Sequence, residues 1–230
     1  MFKALFKNDQ AMTVVVSIIL VYTSLNICGN LVLYFFRFDV GNEGAYSIFA
    51  AVAFAAQVLV MMVIPLLRKR FSKSQLFISG FIIQIAGFAV ILIMAFAKLY
   101  TPQSWYILCL SGILIYLGYG MLNVIMTIFL SDSVDYGEVM NGTREESVIF
   151  SMQTFTVKLA SGVAVFLAGL VVDWIHLDTA AAVQTQDTLD ALRMWMTIPS
   201  VILLIVGIFV FKRFYKLDDA RMEEIKSKLN

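Results

Sequence analysis

Polar side chains recur every three or four residues inside several apolar stretches of this sequence, a spacing that places them on one face of an α-helix. Carboxamides, phenols and hydroxyls both donate and accept hydrogen bonds, as a neutral sugar requires, and aromatic rings cover a sugar's C–H faces. Hydrogen bonding between neighbouring helices is the alternative use of these groups. The stripes comprise Thr23, Asn26, Asn30 and Tyr34; then Tyr116, Gly120, Asn123 and Thr127; then Ser147, Ser151, Gln153, Thr154, Lys158 and Ser161.

Lys158 is the charged residue of these stripes, and it lies about 15 Å into a helical apolar stretch. This depth places it near the middle of a membrane. A lysine at that depth costs about 2.5–3.5 kcal/mol on insertion scales. We interpret it as part of a substrate or ion pathway. An interhelical ion pair, or a later helix start that lets the ammonium reach the surface, remains open. The apolar stretches contain no Asp or Glu, so its counter-ion must come from another chain segment or from a substrate.

The segment SDSVDYGEVMNGTREES, residues 131–147, is net acidic and is predicted to be a loop. Its carboxylates lack the spacing of an EF-hand, so we predict no metal site there. A solvated loop is one interpretation. The other is an inside gate closed by salt bridges, formed by Asp132, Asp135, Tyr136, Glu138, Arg144 and Glu145.

Catalytic and cofactor motifs are missing from the sequence. It contains neither G-x-S-x-G nor H-E-x-x-H, and its only histidine, His176, falls in a predicted loop. Cys28 and Cys109 lie in apolar runs without C-x-x-C spacing, which indicates buried small side chains. We therefore predict no enzyme, no metal and no cofactor, and an intramembrane hydrolase that uses His176 is the weakest of the hypotheses.

The elements that must position these residues follow from composition. The chain of 230 residues is 60% hydrophobic and 14% charged, whereas soluble domains are about 45–50% apolar and about 25% charged. This excludes an ordinary soluble globule. Runs long enough to cross a bilayer of about 30 Å predict an all-α polytopic membrane protein with six transmembrane helices, near residues 12–36, 45–67, 76–97, 105–130, 148–172 and 194–211.

The pattern within these spans suggests how they pack. Ala160, Ala164 and Ala168 form a small-residue stripe that favours close helix packing. The third and sixth spans are the most uniformly apolar and are predicted to be peripheral. Polar first helices in both sets of three suggest an internal repeat of helix triplets.

Lys and Arg are distributed unevenly between the two sides of the predicted membrane domain, residues 12–211. Most lie in the amino-terminal tail (residues 1–11), the second and fourth loops, and the basic carboxyl-terminal tail (residues 212–230). The opposite side holds only Arg37, Lys98 and Arg193. The positive-inside bias therefore predicts that both termini are cytoplasmic.

Residues 131–162, SDSVDYGEVMNGTREESVIFSMQTFTVKLASG, resemble the signature between helices ten and eleven of the glycoside-pentoside-hexuronide:cation symporters, the melibiose permease-like family of the major facilitator superfamily. The segments KNDQ at residues 7–10, PLLRKRFSK at residues 65–73 and the stretch ending ALR at Arg193 are similar to this family too. The resemblance covers essentially the whole chain. It aligns the six spans with the carboxyl-terminal six-helix bundle of such a transporter.

The resemblance implies sugar uptake coupled to Na⁺ or H⁺ by alternating access in the plasma membrane. Lys158 matches the family's intramembrane lysine, while Gln153 and Thr154 fall near the expected sugar cavity. The family's cation-binding aspartates belong to its amino-terminal half, so we expect a six-helix partner half that ligates the coupling cation. The alternative is a six-span binding or assembly subunit without a transport cycle of its own.

Overall fold

The computed structural model describes residues 8–229, and the side chains of residues 8–227, as a helical protein. No strand occurs in this part of the chain. Six long helices are joined by short connections and are followed by a shorter one. They are α1 (Asp9–Tyr34, continued by a π-helical turn, Phe35–Val40), α2 (Ala45–Leu67), α3 (Lys73–Phe96), α4 (Cys109–Asn141, preceded by a 3₁₀ turn, Trp105–Leu108), α5 (Glu146–Trp174), α6 (Gln186–Phe214) and α7 (Asp219–Leu229).

Local sequence signals explain several helix ends. The Asn8 side chain accepts a hydrogen bond from the Ala11 N–H at the start of α1. Ser72 and Gln75 form a capping box at the start of α3. Beyond the π-helical turn and beyond α4, the chain turns at glycines in the left-handed region, with φ of 73° at Gly41 and 71° at Gly142.

The predicted all-α architecture with six membrane-spanning helices is confirmed, because α1 to α6 are all long and apolar enough to cross a bilayer. The prediction of a loop from residue 131 onward is wrong, because α4 continues to Asn141. Ser133 explains part of this continuation. Its hydroxyl bonds the Phe129 carbonyl within α4, and its own carbonyl accepts a hydrogen bond of 2.8 Å from the Asn8 side chain.

Helices α1 and α4 form the centre of the bundle. Helix α4 packs mainly against α2 and α3, and α1 packs mainly against α5 and α6. The first helix of each triplet therefore contacts the second and third helices of the other triplet, a pattern that two related triplets with exchanged partners would produce. The predicted stripe of small residues is confirmed as packing, since Ala160, Ala164 and Ala168 are buried.

The third span is not peripheral within this bundle, contrary to the sequence-based prediction. Its Gly80 and Gly87 lie against α4, and Gly118 of α4 lies so close to α3 that an added Cβ would be 2.5 Å from the Gln84 nitrogen. Glycine allows this approach because it has no side chain. Uniform apolarity therefore marked a tightly packed helix.

The two ends of the bundle differ in their charges. We call the end at which α1 finishes and α6 begins the Arg193 end, and the opposite end, at which α3 begins, the Lys73 end. At the Lys73 end, the predicted carboxyl-terminal tail contains α7, whose Met222 and Ile225 pack, together with the preceding Leu217, against Tyr136 and Val139 of α4. Most of the predicted amino-terminal tail, with Lys3 and Lys7, lies outside the described residues.

Candidate polar face and the charged ends of the bundle

The carboxamides of α1 are held by their own helix. Asn26 Nδ2 donates to the Tyr22 carbonyl and Asn30 Nδ2 to the Asn26 carbonyl, both at 2.7 Å. Both residues are half-buried, and no described residue donates to their side-chain oxygens. The oxygens are therefore acceptors that a ligand hydroxyl can use.

A carboxamide of α4 joins the two central helices. Asn123 Nδ2 donates to the Tyr22 hydroxyl at 2.6 Å and lies 3.5 Å from the Tyr119 hydroxyl. The Tyr22 and Tyr119 rings meet edge to face, with centroids 5.5 Å apart. Sequence reasoning missed both tyrosines. Their signal was present, because Tyr22 continues the four-residue spacing of Asn26 and Asn30, and Tyr119 precedes Asn123 by four residues.

Two further predicted residues connect α5 to this cluster. Gln153 Nε2 donates to the Thr127 hydroxyl at 3.4 Å, and that hydroxyl donates to the Asn123 carbonyl at 3.1 Å. Thr154 is exposed, and its hydroxyl bonds the Phe150 carbonyl of its own helix at 3.3 Å. We call Tyr22, Asn26, Asn30, Tyr119, Asn123, Thr127, Gln153, Thr154 and Lys158 the polar face.

Lys158 is exposed and lies one helical turn from Thr154 on α5. Helix α5 packs mainly against α1 and its alanine stripe is buried, so the side of α5 that carries Lys158 is turned away from the bundle. No hydrogen bond or ion pair reaches its ammonium from residues 8–227. The lysine is therefore available to a carboxylate or a ligand from outside the described chain.

Tyr34 stands apart from the Asn123 cluster, whereas the Tyr116 ring meets the Tyr119 ring edge to face, with centroids 6.3 Å apart. Tyr34 stacks on Phe38, with ring centroids 6.5 Å apart. Tyr116 lines a cavity of about 30 Å³ between α1, α2 and α4, together with Cys28 and Tyr46. That volume holds one or two waters, whereas pockets for small organic ligands are about 300–1,000 Å³. This cavity is too small for a sugar.

The predicted gate residues divide into two groups at the Lys73 end, all but two of them on α4. In the first group, Lys73 forms an ion pair with Asp132, and both side chains are only 7% exposed. Asp219 of α7 lies 3.5 Å from Lys73 and 3.3 Å from Arg68. This group ties the start of α3 to the ends of α4 and α2 and to α7.

The second group is more exposed and centres on Arg144, in the connection between α4 and α5. Its guanidinium lies 3.0 Å from Asp135, 2.9 Å from Glu138 and 3.2 Å from Glu146. The hydrogen bonds that Arg144 donates to these carboxylates, with Glu138 first, raise the pKa of Arg144 above its ordinary value. Glu145 immediately precedes α5 and makes no side-chain capping bond. Tyr136 packs instead against α7.

The sequence of residues 1–219 matches the family described as MFS/sugar transport protein. The chain belongs to this family. It is 25% identical over 99% of its length to the uncharacterized symporter YjmB of Bacillus subtilis (strain 168), covering 48% of that protein. It is 23% identical over 99% of its length to the raffinose carrier protein of Pediococcus pentosaceus and 25% over 94% to the isoprimeverose transporter of Lactiplantibacillus pentosus, covering 35% and 43% of them. The chain thus spans less than half the length of these relatives.

In this member of the sugar-transport family, the most deeply buried ion pair lies at the Arg193 end. The Arg193 guanidinium donates two hydrogen bonds, of 2.6 and 2.7 Å, to the Asp39 carboxylate in the π-helical turn. Both side chains are 5% exposed or less. Asp190 accepts a third bond at 2.7 Å, and Tyr100 donates to Asp39 at 2.8 Å. Burial, and then the Asp39 carboxylate, raise the pKa of Tyr100.

Sequence reasoning missed this cluster, because it ended the first span at residue 36 and used Arg193 only as a topology marker and in the family resemblance. The sole signal was an acid and a base that each flank an apolar run. No metal-binding arrangement of three or more His, Cys, Asp or Glu occurs in the described part of this sugar-transport protein.

Proposed function

We propose that this chain forms one half of a cation-coupled sugar symporter that works by alternating access. The observation that carries the proposal is Lys158, an exposed lysine of a membrane-spanning helix, one helical turn from Thr154, that has no acidic partner in residues 8–227. A charge at that depth is costly, and a nearby opposite charge or a polar ligand stabilises it. Membership of a sugar-transport family supports the same reading.

In this proposal a sugar binds along the polar face. The side-chain oxygens of Asn26, Asn30 and Asn123 accept hydrogen bonds from sugar hydroxyls. Tyr22 and Tyr119 supply aromatic surface for the C–H faces, and Tyr34 and Tyr116 extend the pathway toward the Arg193 end.

The other side of the sugar site comes from a second six-helix half, which lies in the same polypeptide or in another chain. That half supplies the carboxylates that ligate Na⁺ or take up H⁺ and that pair with Lys158. Na⁺ prefers oxygen ligands and a proton-coupled site needs a titratable acid, and the polar face contains no Asp or Glu. The relatives are sugar carriers and a symporter of about two to three times this length, which is consistent with a second half.

We further propose that the Lys73 end is cytoplasmic, in the plasma membrane, because most lysines and arginines of the chain lie on that side. The ion pairs of Lys73 with Asp132, and of Arg144 with Asp135 and Glu138, then hold the cytoplasmic side of this half together.

Uptake measurements test the proposal. The chain is produced in transport-deficient cells alone and together with the six-helix amino-terminal half of a relative such as the raffinose carrier. Labelled sugars are offered with and without Na⁺ and pH gradients. We expect gradient-dependent uptake only with both halves, and Lys158→Ala should lower it roughly tenfold or more because a charged hydrogen bond is lost.

The matched control is Lys69→Ala, which removes an exposed lysine that forms no ion pair with a described residue. Its uptake should equal that of the parent. Strong coupled uptake by this chain alone would refute the two-half proposal. Sugar binding by the purified chain, with an affinity that Na⁺ and pH leave unchanged, would instead favour a six-span binding or assembly subunit without a transport cycle.

A further inference from the structure

A groove at the Lys73 end separates the first turns of α1 from the last turn of α6. It encloses about 500 Å³ and is lined by Asp9, Met12, Thr13, Arg213, Phe214 and Lys216. We call it the basic groove. It lies where two membrane-spanning helices leave the apolar region, which is the depth of phospholipid headgroups.

A buried glutamine fixes the two walls of the basic groove. Gln10 is 1% exposed; its side-chain oxygen accepts a hydrogen bond of 2.8 Å from the Lys216 N–H, and its nitrogen lies 3.4 Å from the Phe214 carbonyl. The same nitrogen donates to Asp9 at 2.8 Å. These bonds tie the start of α1 to the end of α6, so the groove is preformed and a ligand need not order it.

The charge of the groove is positive. Arg213 and Lys216 are both exposed, and neither forms an ion pair with a described residue. Other basic side chains at this end, such as Arg68, Lys73 and Arg144, are paired with carboxylates. The lining contains one acid, Asp9, which accepts a hydrogen bond from the Gln10 side chain. Two cations and one carboxylate give the groove a net positive charge, which favours an anion.

The apolar lining of the groove distinguishes a lipid from a soluble anion. Phe214 is 51% exposed, and Met12 is half-buried, so both offer hydrophobic surface beside the cations. The Arg213 guanidinium lies 5.8 Å from the centre of the Phe214 ring, which keeps charge and apolar surface side by side. Basic pockets between membrane helices bind anionic headgroups in this way.

We propose that the basic groove binds one anionic phospholipid. Arg213 and Lys216 hold its phosphate, and Met12 and Phe214 contact the first segments of its acyl chains. Zwitterionic lipids bind less tightly, because their headgroup brings a cation into a groove that already carries net positive charge. The site lies apart from the polar face and does not depend on the proposed transport function.

Lipid enrichment measures the proposed binding. The full chain is purified from mixed micelles of phosphatidylglycerol and phosphatidylcholine, and the lipids that remain bound are quantified by mass spectrometry. The parent should retain phosphatidylglycerol in excess. Each cation near an anionic lipid surface strengthens the binding affinity about fivefold. The double variant Arg213→Gln with Lys216→Gln should therefore retain phosphatidylglycerol about 30-fold less tightly.

The matched control is Lys69→Gln with Arg70→Gln, which removes the same charge from exposed positions at the same end but outside the groove. It should retain phosphatidylglycerol within about twofold of the parent. Asp9→Asn, which removes the acid from the groove, should strengthen retention. Thermal unfolding midpoints verify that each variant is folded.

Three outcomes would overturn the proposal. One is an equal loss of lipid in both double variants, which would mean that net charge alone attracts the lipid. Another is no preference for phosphatidylglycerol in the parent. The third is displacement of the lipid by excess inorganic phosphate, which would assign the groove to a soluble phosphate.

Discussion

The buried ion pair between Asp39 and Arg193 is expected to be important for the stability of the protein. Replacing Asp39 with Asn keeps the shape of the side chain but removes the charge that two guanidinium hydrogen bonds and the Tyr100 hydroxyl share. Arg193 is then left inside the protein with Asp190, whose side chain is 40% exposed, as its remaining acidic partner in the described chain. We expect Asp39→Asn to destabilise the protein strongly.

The magnitude follows from burial. Removing one partner of a buried ion pair costs about 3–5 kcal/mol, because the other charge stays desolvated and unpaired. Asp190 still accepts one bond from Arg193, at 2.7 Å, so the lower limit applies, about 3 kcal/mol. For a chain of this length each kcal/mol shifts the unfolding midpoint by roughly 2–4 °C. Asp39→Asn should therefore lower the midpoint by about 6–12 °C.

The buried thiol of Cys28 provides the assay. A thiol-reactive fluorogenic dye reports unfolding in detergent when Cys28, 6% exposed in the folded state, becomes accessible. Cys109 is half-buried, so the measurement uses a Cys109→Ser background.

The control is Glu43→Gln, which makes the same chemical change at the same end but breaks an exposed pair with Arg37 at 3.7 Å. It should shift the midpoint by less than about 2 °C. Adding Arg193→Met to Asp39→Asn should restore part of the stability, because it removes the stranded charge. If Asp39→Asn and Glu43→Gln shift the midpoint equally, the reasoning about burial is wrong.

Two further predictions concern packing and an unpaired hydroxyl. Gly118→Ala should lower the free energy of unfolding by about 1–3 kcal/mol or more, because its Cβ would lie 2.5 Å from the Gln84 backbone nitrogen and 2.6 Å from the Gly80 carbonyl oxygen. The control is Gly162→Ala, which should not destabilise the protein, because no atom lies within 4 Å of its added Cβ. The same dye assay compares the two variants, and equal unfolding midpoints would contradict the close packing at Gly118. The buried Tyr215 hydroxyl has no hydrogen-bond partner in the described chain, so Tyr215→Phe should leave the midpoint unchanged or raise it at pH 7. Burial, and then nearby carboxylates, raise the pKa of Tyr215 in the folded protein, so folding favours its neutral form. The contribution of Tyr215 to stability is therefore fully present below the unfolded tyrosine pKa of about 10, and it is lost as pH rises above that value. Midpoints measured between neutral and alkaline pH should fall less steeply in Tyr215→Phe than in the parent, and identical slopes would contradict this.

Much of the fold followed from hydropathy, because a bilayer demands about 20 apolar residues for each helix and leaves few alternatives. The packing role of the alanine stripe of α5 could also be predicted, because small residues at helical spacing allow two helices to approach closely. The end of α4 was not readable from hydropathy. Polar residues from 131 onward looked like a loop, but packing against α7 and the Lys73–Asp132 pair support a helix there.

The candidate site was readable only in part. The spacing of Asn26, Asn30 and Asn123 predicted their faces, yet the amide that joins α1 to α4 needed Tyr22, which the sequence analysis passed over. Asp132, Asp135, Glu138 and Arg144 of the predicted gate do form ion pairs, but in two separate groups. Tyr136 and Glu145 belong to neither group. Which acid meets which base depends on how helix ends are brought together, and hydropathy and spacing contain no information on that.

The sequence by itself determined the class of the protein, its six spans, the membership of the polar stripes and the family signature, because composition and periodicity act locally along the chain. Only the tertiary structure decided which way each stripe points and which distant charges meet. Asp39 and Arg193 are 154 residues apart and become partners only when α1 packs on α6. Lys158 faces away from the bundle because the opposite side of α5 offers the small residues that α1 can approach closely. That packing leaves the lysine without an acidic partner in residues 8–227.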